Sequence, residues 1–124
     1  MSKFKSQGFR NTFRNARKGM RLAIRSERNI RVHLVSAVCV LLMGVVLDLS
    51  ATKLCILLLT VAMVVSMEMV NSAIEFSLDA VFHNKYSKLV GMAKDISAGA
   101  VMFVTIIALI IGVIIFLPPI IKLI

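Results

Sequence analysis

Residues 68–79 read EMVNSAIEFSLD and follow the uncharged run LCILLLTVAMVVSM at 54–67. Two glutamates, an asparagine and an aspartate thus enter a segment that is otherwise suited to lipid. At 100° per residue, Glu75 and Asp79 fall within about 20° of the Glu68 direction and Asn71 about 60° away. All four polar groups therefore share one helix face. A charged side chain at the centre of a bilayer helix costs on the order of 2.5–3.5 kcal/mol, so such a face must line a polar cleft between helices.

Depth separates the tasks these groups could perform. From Leu54, Glu68 lies about 21 Å and Glu75 about 32 Å along a helix. Against a hydrocarbon core of about 30 Å, Glu75 reaches the interface and Glu68 sits roughly two turns deeper. Glu27 lies just before the first apolar span, and Lys94 and Asp95 just before the third. Each span therefore brings charge to the same plane. Carboxylates at a wet edge suit a hard divalent cation, which prefers oxygen ligands and often carries nucleotide phosphate with it. A lysine there could hold phosphoryl oxygens, and a deeper carboxylate could take the proton of a lipid hydroxyl. The residues thus suggest phosphoryl transfer. The chain contains no GxxxxGK[ST] loop and no kinase-type glycine-rich loop, which argues against the soluble nucleotide folds.

The elements that must hold these groups are apolar. Hydrophobic residues make up 59% of the 124, mean hydropathy is +0.92, and the net charge is +9. Spans at about 30–47, 54–81 and 96–121 fit membrane helices, each needing roughly 20 residues. The first starts with His33 near the headgroups. The turn DLSATK (48–53) offers Asp48 or Ser50 as an N-cap, and Pro118 and Pro119 are expected to end the third helix. The chain reads as one all-α integral membrane domain over 1–124.

Ten of the fifteen lysines and arginines lie in residues 1–31. Beside so much apolar sequence, this basic arm (1–29) suits anionic lipid headgroups better than nucleic acid. Within it Phe9, Phe13, Ala16, Met20 and Ala23 recur at helical spacing, with Arg10, Arg14, Arg17, Arg21 and Arg25 alongside. That pattern predicts a surface helix over 9–24 with snorkelling arginines; the alternative is a disordered basic arm. A secretory signal is rejected, because the charged region is too long, no cleavage site follows Leu47, and two more spans come after it. The positive-inside rule puts the arm and the 80–95 connection in the cytosol, and the 48–53 turn and the C-terminus outside.

With those residues in view, EMVNSAIEFSLD resembles the signature E-x-x-N-[ST]-A-I-E-x-x-x-D of the small prokaryotic diacylglycerol kinase family, through Glu68, Asn71, Ser72, Ala73, Ile74, Glu75 and Asp79. KYSKLVGMAKDISAGAV adds Tyr86, Leu89, Gly91, Ala93, Lys94 and Asp95, and KGMRLAIRSERNIRVH adds Gly19 and Glu27. SERNIRVH and IIGVIIFLPP are similar to the Gram-positive branch, whose members are mainly undecaprenol kinases. The resemblance implies a bacterial cell-membrane kinase with an N-terminal surface helix, three transmembrane helices, and a homotrimer with composite sites. It implies Glu68 as catalytic base, Asn71 orienting groups beside it, and Glu27 and Glu75 as ligands of the Mg2+ that accompanies ATP. Lys94 and Asp95 would contact the nucleotide phosphates, with Lys85, Tyr86 and Ser87 nearby. The implied acceptor is undecaprenol, with diacylglycerol as the alternative.

Plainer roles stand beside these. Asp79 could cap or solvate a helix end, and Asn71 could join helices by hydrogen bonding. Glu68 and Glu75 could form a structural polar network. His33 and His83, without partners at ligand spacing, read as interfacial or solvated. Cys39 and Cys55 read as small apolar fillers and the eight methionines as packing filler. Ser72, Ala73, Ala98, Gly99 and Ala100 would let helices approach closely. Two other functional classes are an ion or proton channel or carrier and a non-catalytic membrane subunit. A channel needs a polar stripe reaching both faces, and residues 54–67 provide no acid or base.

Topology can be checked by labelling Ser50→Cys and Lys85→Cys in intact cells with a membrane-impermeant thiol reagent. The expected outcome is labelling at position 50 and protection at position 85; the reverse pattern refutes the orientation.

Overall fold

The computed structural model describes residues 8–124, which form four helices: α1 (Phe9–Ser26), α2 (Arg28–Val46), α3 (Ala51–Phe82) and α4 (Lys88–Leu123). The first seven residues of the expected basic arm lie outside the described residues. α2, α3 and α4 are each long and apolar enough to cross a membrane. α1 is the amphipathic surface helix that its spacing predicts. It buries none of its residues, and Phe9, Phe13 and Met20 stand exposed along its apolar side.

α1 gives way to α2 at Glu27, whose extended backbone (φ −114°, ψ 111°) caps both helices. Neither proline nor glycine makes this corner. Arg31 holds it, donating from Nη1 to the carbonyls of Ile24 (2.9 Å) and Arg25 (2.7 Å). Those carbonyls lie at the unpaired C-terminal end of α1, where a cation is favoured.

α2 ends in a Schellman turn. Asp48 adopts φ 59°, and the amide of Leu49 donates to the Gly44 carbonyl. Of the two N-cap candidates in that turn, Ser50 serves: its hydroxyl accepts from the Lys53 amide at 3.3 Å. α3 ends at His83, also left-handed, with the Asn84 amide donating to the Asp79 carbonyl. Ser87 then caps α4 by accepting from the Val90 amide at 3.2 Å.

α3 packs against both α2 and α4. Most buried positions recur at intervals of seven or four: Ile30, Ala37 and Gly44 on α2; Leu57, Val64, Glu68 and Ser72 on α3; Val90 and Ser97 on α4, where Ile115 is buried further along. A narrow seam of this kind is the signature of helices crossing at a shallow angle. Gly44 leaves room for a Leu54 methyl, which would stand 2.8 Å from a Cβ there.

Several expectations change. α4 begins at Lys88, not near 96, so the Lys94–Asp95 pair lies two turns inside a helix rather than ahead of one. The Ser87 cap starts the helix before the apolar run does. Pro118 and Pro119 do not end α4, which continues to Leu123. A proline's fixed φ is compatible with helix, and the pair forfeits only two backbone bonds one turn from the helix end. Ala73, Ala98 and Gly99 are exposed, so among the predicted small contact residues Ser72 carries the tight packing within the chain. Cys39, Cys55 and Met20, Met43, Met63, Met92 and Met102 also face outward and do not fill the core.

Gly44→Val should destabilise the hairpin by about 1–3 kcal/mol, the range for overpacking. Gly44→Ala should cost less, because the Leu54 methyl can rotate away. Thermal unfolding in detergent micelles measures both.

Candidate functional site

The polar face of α3 meets a polar partner at each level. Glu68, only 7% exposed, places Oε1 3.2 Å from Nε2 of His33 on α2. One turn on, Asn71 accepts from Ser97 Oγ of α4 at 2.6 Å and donates from Nδ2 to Glu75 Oε1 at 3.4 Å. A carboxylate can only accept, so the amide nitrogen of Asn71 must face Glu75 and its oxygen Ser97. Further along, Lys94 of α4 donates to Asp79 Oδ1 at 2.6 Å. Among the described residues no buried side-chain nitrogen or oxygen lacks a partner. The polar face of α3 therefore meets polar side chains of α2 and α4 within one chain.

The other predicted residues surround this ladder unevenly. Glu27 is half-buried at the α1–α2 corner and does not cap α2 with its side chain. Lys85, Tyr86 and Ser87 form the exposed α3–α4 connection. The Tyr86 ring leans over Gly91, where a Cβ would come within 2.8 Å of it. The Ser87 hydroxyl is engaged as the α4 cap. Asp95 is exposed beside the paired Lys94. Asp79 does more than cap or solvate its helix end, since it ties α3 to α4 through that lysine.

Among the described residues no three His, Cys, Asp or Glu side chains converge on one point. Glu27 and Glu75 offer hard oxygen donors in the number a magnesium ion takes when phosphate and water complete its shell, so they fit that ion in kind.

An open groove of about 590 Å³ runs between α2, α3 and α4, lined mainly by Val, Leu, Ile and Ala, with His33 on its wall. Thr60 also lines it, but the Thr60 hydroxyl donates to the Ile56 carbonyl at 2.7 Å. The groove is thus mainly apolar, with Ser36 and Thr105 as its other hydroxyl residues, and it touches the residue that pairs with Glu68.

A model of the prokaryotic diacylglycerol kinase family matches residues 14–116. The chain belongs to this family. It is 36% identical over 112 residues to the diacylglycerol kinase of Synechocystis sp., a match covering 90% of this chain and 64% of that one. The undecaprenol kinase of Bacillus subtilis is 37% identical over 110 residues, covering 89% of each chain. The diacylglycerol kinase of Escherichia coli K12 is 33% identical over 93 residues, 75% of each. Membership in the prokaryotic diacylglycerol kinase family, a family of lipid kinases, agrees with the three long apolar helices of a multi-pass membrane protein.

Two residues of the site escaped sequence reasoning. His33 was expected to be interfacial or solvated; it is instead half-buried against Glu68. Ser97 was not singled out, yet it is buried and donates to Asn71. A signal existed for both. His33 lies three residues after buried Ile30 and four before buried Ala37, and Ser97 lies seven after buried Val90. Each is a polar residue on the seam of its helix.

Proposed function

We propose that this member of the family is an ATP-dependent lipid kinase that phosphorylates undecaprenol. The observation that carries the proposal is the buried Glu68 beside His33 at an apolar groove, with a charged, exposed edge further along the same helix face. An amphiphile with one hydroxyl and an apolar body suits that arrangement. Its tail would lie in the groove and in lipid, and its hydroxyl would meet Glu68.

In the reaction, the lipid hydroxyl oxygen bonds to the γ-phosphorus of ATP, the bond to the β,γ-bridging oxygen breaks, and ADP leaves. The hydroxyl proton passes to Glu68. Magnesium, held by Glu27 and Glu75, would neutralise charge on the phosphate oxygens. Asn71 steadies Glu75 through its amide and is itself held by Ser97. Lys94 and Asp95, with Lys85, Tyr86 and Ser87, would receive the nucleotide from the water side. We further propose a cytosolic N-terminus and a homotrimer. The largely unburied α4 and the outward Ala98 and Gly99 support an assembly with further helix contacts.

The match to the Bacillus subtilis undecaprenol kinase over 89% of each chain supports the polyprenol acceptor. So does the groove, whose lining is mainly aliphatic and suits a polyprenol, which has no ester carbonyls to satisfy. The names of the Synechocystis and Escherichia coli relatives favour diacylglycerol instead.

Glu68→Gln should lower the chemical rate by roughly 10²–10⁴ while leaving nucleotide binding largely intact. Glu75→Gln should weaken metal-nucleotide binding as well as turnover. Calorimetric titration with a non-hydrolysable ATP analogue separates the two, and the opposite pattern would mean the roles are reversed. Competition between undecaprenol and diacylglycerol in one mixed micelle should favour undecaprenol at least tenfold in kcat/KM, equivalent to about 1.4 kcal/mol of transition-state discrimination. Equal labelling of the two products, or an excess of phosphatidic acid, refutes the acceptor.

A further inference from the structure

His33 Nε2 stands 3.2 Å from Glu68 Oε1, and among the described residues it is the side chain that pairs with this carboxylate. Glu68 is more than nine-tenths buried. A general base must be held within hydrogen-bond reach of the hydroxyl it deprotonates, so a buried carboxylate in that role needs a partner that fixes its orientation.

We propose that His33 is a positioning residue of the kinase reaction: it donates its Nε2–H to the Glu68 carboxylate and fixes that carboxylate's rotamer. The inference rests on reading Glu68 as the base. With Glu68 read as the base, its carboxylate only accepts, so His33 Nε2 is the donor of the pair. Placement adds a second argument. His33 also lines the apolar groove, so it lies between the space suited to a lipid chain and the carboxylate.

The test uses the full-length protein in lipid micelles, assayed with magnesium-ATP and undecaprenol. His33→Ala should lower kcat about 10–100-fold, the usual effect of removing a partner that orients a reacting group, with both KM values changed less than about threefold. His33→Gln retains an N–H at the position of Nε2 and should recover kcat to within about fivefold of wild type. In a Glu68→Gln background, His33→Ala should add less than about threefold, because groups acting as one unit are not additive. An unchanged kcat in His33→Ala overturns the inference. So does full multiplication of the two effects in the double variant, or a loss of thermal stability that tracks the loss of kcat and is not relieved by Gln. If Glu68→Gln itself turns over like wild type, the base reading falls first, and this inference falls with it.

Discussion

A carboxylate cannot face hydrocarbon, and the bundle is arranged around that constraint. In lipid the hydrophobic effect does not drive helices together, because tails are as apolar as leucine. Association depends on close packing and on polar groups that have nowhere else to go. α3 carries four such groups on one face, and its two neighbours supply partners for three of them, His33 from α2 to Glu68 and Ser97 and Lys94 from α4 to Asn71 and Asp79, while Asn71 itself donates to Glu75. The same interactions that let α3 remain in the membrane also fix the position of α2 and α4 relative to it.

This gives the site a graded character along one helix. At Glu68 the environment is buried, and the pair with His33 lies against an apolar groove. At Asn71 and Glu75 it is half-buried and hydrogen-bonded. At Asp79 and Lys94 each side chain is more than a third exposed, and the adjoining connection is open to water. Phosphoryl transfer from a nucleotide to a lipid requires such a gradient, since one reactant is soluble and the other is not. A continuous conducting path would require polar groups on the far side of Glu68, where α3 presents an uncharged run.

The corner at Glu27 serves the same end. It turns the amphipathic α1 away from the line of α2 without a proline or glycine, and Arg31 stabilises the break by taking up carbonyls at the end of α1. Glu27 thereby remains near the start of a membrane helix instead of in its middle. The α2–α3 turn, by contrast, uses standard hairpin devices: a left-handed Asp48, a Ser50 cap and the close approach at Gly44.

Sequence alone determined the fold class, the surface helix and the polar face of α3, because helical periodicity and hydropathy are local properties that three apolar runs and one amphipathic run express without ambiguity. It also determined that the face must be shielded, since the cost of charge in lipid does not depend on which residue provides the shield. Only the tertiary structure decided the partners. His33 looked solvated and Ser97 went unnoticed because a lone polar residue on a helix seam gains its meaning from the residue opposite, and that pairing depends on the register between helices far apart in sequence. The pairing of Lys94 with Asp79 depends on the same register. The helix ends were likewise decided outside the hydropathy pattern: a serine cap advanced the start of α4 to Lys88, and two prolines near its end cost too few hydrogen bonds to stop it.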